Sequence, residues 1–209
     1  VYGEPDPLSG VTAASVLADI RPRVEALDLP AGYRLEWGGE FETAGEAQSG
    51  LFSSLPLGIV MMFILTVVLF NNFRQPLAIW SLVPLTIIGV VGALLLTGLP
   101  FSFMALLGTL SLIGMVIKNA IVLVEEINVQ LPLHQDRYHA VVRAAVSRVR
   151  PVSMAALTTM LGMIPLISDA FFASMAVALI GGLGVATLLT LVVLPVVYCV
   201  LYRIKIHAD

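Results

Sequence analysis

Lys118 and Asn119 stand inside an apolar run that extends from Leu99 to Val124. A lysine at that depth is costly unless the membrane interior uses its charge. On a helical projection Gly108, Ser111, Gly114, Lys118 and Glu125 share one stripe, each three or four residues, or two turns, from the next. A small and polar stripe of this kind is expected to face other helices and not lipid. The plain alternative is a lysine that snorkels to the nearer membrane surface, about six residues or roughly 9 Å away. Against it, side chains lean toward the N-terminus of their helix, here the farther surface, and a lipid-facing lysine has no use for glycine and serine beside it. The chemistry on offer is proton or ion coupling. A lysine inside a bundle needs a carboxylate partner or gives up its proton, and a change of partner acts as a switch. Glu125 is two turns away, too far for direct contact along one straight helix. The partner is therefore expected from a helix that this chain does not contain.

Other chemistries lack their residues. An intramembrane protease needs a serine with a histidine, or two aspartates, within the spans. Here His134, His139 and His207 lie outside the apolar runs, and no run holds an aspartate. No glycine-rich phosphate loop and no cysteine or histidine cluster at metal spacing occurs. The lone cysteine, Cys199, reads as a small packed apolar residue. The chain is accordingly read as a non-enzyme with no cofactor beyond the proton as coupling ion.

The elements that would position Lys118 are membrane spans. The chain is 58% hydrophobic and 12% charged, with a mean hydropathy of +0.97, whereas a soluble domain is about a quarter charged. Residues 1–50 hold nine acidic and three basic residues, and residues 51–209 five acidic and eight basic. That split marks two environments. Basic residues are not clustered with aromatics, which argues against nucleic acid as a partner.

Residues 1–50 read as a small α/β remnant of a soluble domain. Ser9 or Thr12 can cap a helix whose apolar positions are Val16, Ile20, Val24 and Leu27; LPAG at 29–32 ends it, and YRLEW at 33–37 reads as a strand. Two such elements cannot make a core alone, so they are expected to complete a sheet begun upstream. The absence of an initiating methionine and of a leader pattern at Val1 fits a C-terminal piece of a longer protein. Glu40 to Gly50 then forms a polar lead-in. Residues 51–209 carry five apolar runs, near 51–70, 77–96, 101–124, 151–167 and 172–201, each of a length suited to about 30 Å of hydrocarbon. Prolines 56, 84, 165 and 195 are compatible with membrane helices.

Basic residues occupy alternate connections: Arg74, then Arg137, Arg143, Arg148 and Arg150, then Arg203 and Lys205. TGLP at 97–100 and SDAF at 168–171 hold none. The positive-inside rule places the C-terminus in the cytoplasm and, with five spans, the N-terminal remnant outside it. Residues 134–149 read as an amphipathic helix on the cytoplasmic surface. Ala178, Gly182, Ala186 and Thr190 in the fifth run, and Gly89 and Ala93 in the second, form small-residue ridges for close helix packing.

Several ordered strings carry a resemblance. GMVIKNAIVLVEEIN at 114–128, AAVSRVRPVSMAALTTMLGMIPL at 144–166 and IGGLGVATLLTLVVLPVVYCVLYR at 180–203 are similar to the C-terminal third of the resistance-nodulation-division transporters, above all the hydrophobe and amphiphile exporters of Gram-negative bacteria. LPAGYRLEWGGEFE at 29–42 resembles the end of the family's last periplasmic porter subdomain. The resemblance implies an all-α integral membrane bundle in which the five spans are helices eight to twelve of twelve. It implies a homotrimer in the bacterial inner membrane, working with a periplasmic adaptor and an outer-membrane channel. Proton entry would drive export of hydrophobic or amphiphilic compounds. Lys118, with Asn119 beside it, falls at the family's relay lysine, which pairs with two aspartates on the fourth helix. Arg148 falls at a relay-associated arginine. The pattern RPxxxT places a threonine where this chain has Ala155, so that contact is absent or passes to Thr158 or Thr159. The competing readings are a non-exporting member of the same superfold, such as a protein-translocation accessory or a sterol-sensing scaffold, and a bundle in which Lys118 merely packs.

Overall fold

The long apolar runs pass through some of their prolines unbroken and change helical form beside others. The computed structural model describes residues 13–26, 30, 40–169 and 171–204. Its α-helices are α1 (Ala13–Glu25), α2 (Glu40–Phe70), α3 (Arg74–Trp80), α4 (Leu82–Thr97), α5 (Phe103–Gln130), α6 (Arg137–Met163), α7 (Ala173–Leu188) and α8 (Leu194–Leu201). All regular structure among the described residues is helical. The expected N-terminal α/β unit is thus represented only by its helix α1. The strand expected at 33–37 and the caps Ser9 and Thr12 lie outside the described residues. Ile20, on the apolar face of α1, is 42% exposed.

Five stretches are long and apolar enough to cross a membrane: Ala47–Phe70, Arg74–Thr97, Phe103–Leu133, Arg137–Ser168 and Ala173–Leu201. They correspond to the five expected runs, with four differences. The polar lead-in and the first run are one helix, α2, with Pro56 inside it. The second run breaks at Ser81. Pro84 has no N–H for the carbonyl of Trp80 and its ring crowds that oxygen, and the Ser81 hydroxyl meanwhile donates to the Ala78 carbonyl. The surface helix expected at 134–149 and most of the fourth span are likewise one helix, α6, running through Pro151, and the span ends in a 3-10 turn, Ile164–Ser168, that holds Pro165. In the fifth span a wide π turn, Leu189–Val193, precedes Pro195. A π turn loosens the ladder just where the proline ring would meet the carbonyl of Leu191.

The centre of the bundle is where α4, α5 and α7 meet. Ala178, Gly182, Ala186 and Thr190 are all buried, as the small-residue ridge requires. A Cβ on Gly182 would stand 2.2 Å from Leu112 Cδ2, and one on Gly181 would stand 2.1 Å from Ala93 Cβ. These helices touch at backbone distance because glycine lets them. Around the contact lie Leu82, Val90, Leu112, Val116, Ala120, Leu123 and Leu183, each no more than 3% exposed. By contrast α2 shows most of its surface: Leu57, Leu65, Val68 and Leu69 are each more than 60% exposed.

Candidate functional site

Helix α5 presents two faces of opposite character. Leu112, Val116, Ile117, Ala120, Leu123, Val124 and Ile127 are buried against the bundle. Ser111, Gly114, Lys118 and Glu125 are exposed. The polar stripe therefore exists, but the expectation that it faces other helices is not met by helices of this chain. Only Gly108, at its N-terminal end, is packed, with Met175 Cγ 3.0 Å from where its Cβ would be. The apolar face of α5 lies against the bundle because close side-chain packing is the main attraction between helices in lipid, while a lysine turned inward would need a charge to meet it.

Lys118 opens onto a groove of about 340 Å3 between α2 and α5, whose other walls include Thr66, Leu69, Gly114 and Ile121. Thr66 donates its hydroxyl to the Met62 carbonyl at 2.7 Å and accepts from Trp80 Nε1 at 3.3 Å, which fixes α2 to α3 beside the groove. Neither the Lys118 nor the Asn119 side chain has a hydrogen bond or ion pair to another described residue. Lys118 is thus a cation on a face that this set of helices does not cover.

The other sequence candidates sit on α6, and the structure does not join them to Lys118. Arg148 pairs with Glu126 of α5 through Nη2 and Oε2 at 2.5 Å. Gln130 Nε2 donates to the second Glu126 oxygen at 2.9 Å. The Thr158 hydroxyl donates to the carbonyls of Met154 (2.9 Å) and Ala155 (3.0 Å), and Thr159 donates to Ala155 at 2.9 Å. Both threonines thus spend their proton on their own helix, as helix threonines commonly do. Their oxygens keep lone pairs with which to accept.

One polar set escaped the sequence reading. Gln75 of α3 and Asn128 of α5 exchange amide hydrogen bonds, 2.8 Å and 3.1 Å. Tyr198 of α8 donates to the same Asn128 oxygen at 3.3 Å. Tyr198 stacks on Tyr202 at 4.5 Å, and Asn72 Nδ2 donates to the Tyr202 hydroxyl at 3.0 Å. Three distant segments are tied at one end of the bundle, and no spacing rule links residues 75, 128 and 198. Their one signal was polarity at the edges of apolar runs. Gln75→Leu leaves Asn128 Nδ2 without its acceptor in a part-buried site, while Oδ1 keeps Tyr198, a cost of about 1–3 kcal/mol. Its thermal unfolding midpoint in detergent is expected to fall below wild type, and adding Asn128→Leu is expected to cost less than the sum of the two single changes. Additive losses would show that the bridge carries no coupling.

Comparison with known proteins adds what the geometry leaves open. The AcrB/AcrD/AcrF family matches residues 4–202. The cobalt-zinc-cadmium resistance protein CzcA of Cupriavidus metallidurans is 34% identical over 180 residues, 84% of this chain and 17% of its own length. The multidrug resistance protein MdtC of Erwinia amylovora is 32% identical over 202 residues, 94% of this chain and 20% of its own length. A crystal structure of a heavy metal efflux pump superimposes with a TM-score of 0.68 at 35% identity, covering 91% of this chain and 20% of that one. The chain spans about a fifth of the length of these relatives, and they divide between metal and multidrug resistance.

Proposed function

Because the chain belongs to the AcrB/AcrD/AcrF family, within the resistance-nodulation-division transporters, we propose that it forms the last five of twelve spans of a proton-driven exporter of hydrophobic or amphiphilic compounds. In this reading the transporter is a homotrimer of the bacterial inner membrane, joined to a periplasmic adaptor and an outer-membrane channel. Arg74, Arg137 and Arg143 face the cytoplasm, and the connections at 98–102 and 169–172 face the periplasm.

The observation that carries the proposal is Lys118. It is an exposed cation, unpartnered among the described residues, on a helix face that carries Gly114, bordering a groove deep in an apolar span. A carboxylate from a further helix, laid against that face, would complete a pair that opens and closes with protonation. Asn119 stands beside it, and Arg148, Thr158 and Thr159 are the further relay candidates on α6. Ala155 supplies no hydroxyl, so acceptance by Thr159, on the same face one turn on, takes its place.

A second reading, export of divalent metal cations, is favoured by the metal-resistance relatives and the heavy metal pump. The two are separated by expressing the transporter that contains this chain in a host stripped of its own exporters. Efflux of ethidium and tolerance of deoxycholate are expected, both lost when a protonophore collapses the gradient. Tolerance of Co2+ and Zn2+ without dye efflux would transfer the assignment to metals. Efflux that survives the protonophore would overturn proton coupling.

A further inference from the structure

We propose that Glu126 is a positioning residue for transport: its carboxylate fixes the Arg148 guanidinium and so holds the span of Arg148 in register with the span of Lys118. The inference rests on the exporter reading above and adds a residue to it.

Glu126 lies eight residues beyond Lys118 on α5, a rise of roughly 12 Å and a rotation of roughly 80°. That rotation takes it off the exposed stripe and turns it toward α6. There it is held on both oxygens, by Arg148 Nη2 at 2.5 Å and by Gln130 Nε2 at 2.9 Å. Its side chain is 16% exposed and that of Arg148 34%, so this is not a solvated surface pair. Fully exposed pairs contribute little, whereas a short charge-assisted bond between partly buried partners is directional and stronger.

The state of the guanidinium makes the glutamate more than a brace. Arg148 Nε is buried and has no hydrogen-bond partner among the described residues. A buried donor without an acceptor is uncommon and calls for a reason. Glu126 grips the guanidinium by one terminal nitrogen and leaves Nε–H directed into the packed region with nothing to donate to. An acceptor that reaches Nε in a different arrangement of the spans would then find the donor already oriented. Loss of the Glu126 charge frees the guanidinium to rotate, and that acceptor then meets it in the wrong orientation.

The test measures initial export rates against substrate concentration, using whichever of ethidium, deoxycholate or Co2+ the wild-type transporter moves. Glu126→Gln, Glu126→Asp and Lys118→Ala are compared, with membrane abundance measured for each. Glu126→Gln is expected to lower the maximal rate about tenfold or more with KM little changed, since orientation and not substrate binding is lost. Glu126→Asp, which keeps the charge, is expected to recover most of the rate. Wild-type rates in Glu126→Gln, a loss that follows abundance alone, or a Glu126→Asp as impaired as Glu126→Gln would each overturn the inference. The Lys118→Ala arm reports on the exporter reading separately: full export there removes the relay role of Lys118 whatever Glu126 does.

Discussion

Replacing Lys118 with alanine is expected to abolish export while the protein still reaches the membrane in wild-type amount. The second half follows from the structure. The side chain is exposed and makes no hydrogen bond or ion pair with the described residues. Its loss therefore removes no contact that holds α5 to α4, α6 or α7. The first half follows from the chemistry proposed for it. If Lys118 meets carboxylates from another helix, its removal leaves them buried and uncompensated, at roughly 3–5 kcal/mol. At about 1.4 kcal/mol per tenfold, that biases a two-state equilibrium a hundredfold or more toward whichever state protonates them.

Lys118→Arg divides two mechanisms. Arginine keeps the charge but holds its proton at any physiological pH. If Lys118 releases its proton during the cycle, Lys118→Arg is expected to fail as Lys118→Ala does. Restored export in Lys118→Arg would reduce the lysine to a fixed counter-charge. The measurement is dye or metal efflux alongside membrane abundance. Full export by Lys118→Ala would end the relay assignment, and loss of the protein from the membrane would return Lys118 to packing.

The stripe on α5 was legible from spacing alone, yet its direction was not. Gly114 and Ser111 leave a face small enough for close approach, but the described helices bury the opposite, apolar face. Periodicity identifies faces, and only the packed set of helices decides which face is covered. The prolines teach the same lesson. Pro56 and Pro151 stand inside continuous helices, whereas Pro84 follows a break and Pro195 follows a π turn. The residue type is the same at all four, so the difference lies in how the neighbouring turn takes up the freed carbonyl. The Glu126–Arg148 pair and the Gln75–Asn128–Tyr198 bridge join residues 22 to 70 positions apart. Such pairings depend on how helices dock and leave no period in the chain. The small-residue ridges were readable because close packing demands glycine and alanine at fixed spacing on each helix separately.

Gly181→Ala is expected to be the most damaging of the single-methyl additions in the span. The new Cβ would stand 2.1 Å from Ala93 Cβ and 3.1 Å from the Gly89 carbonyl oxygen. Carbon atoms in contact sit at about 3.5–4.0 Å, so α4 and α7 must part by roughly 1.5 Å. Neither obstacle can swing aside, since one is a Cβ and the other is backbone. Parting the helices loosens the neighbouring Gly182 contact with Leu112, and with it the seat of α5. Overpacking of this kind costs about 1–3 kcal/mol in soluble cores. Between membrane helices, where packing is itself the main attraction, it is expected at the upper end of that range. The check is the unfolding midpoint in detergent, with two companions. Gly184→Ala, whose Cβ would meet only Met160 Sδ at 3.9 Å, is expected to be neutral. Ala93→Gly combined with Gly181→Ala removes the nearest obstacle by moving the methyl from one helix to the other, and is expected to recover much of the loss. If the double variant is no better than Gly181→Ala alone, the α4–α7 crossing is not what the methyl disturbs. The bundle that holds Lys118 outward would then owe its geometry to other contacts.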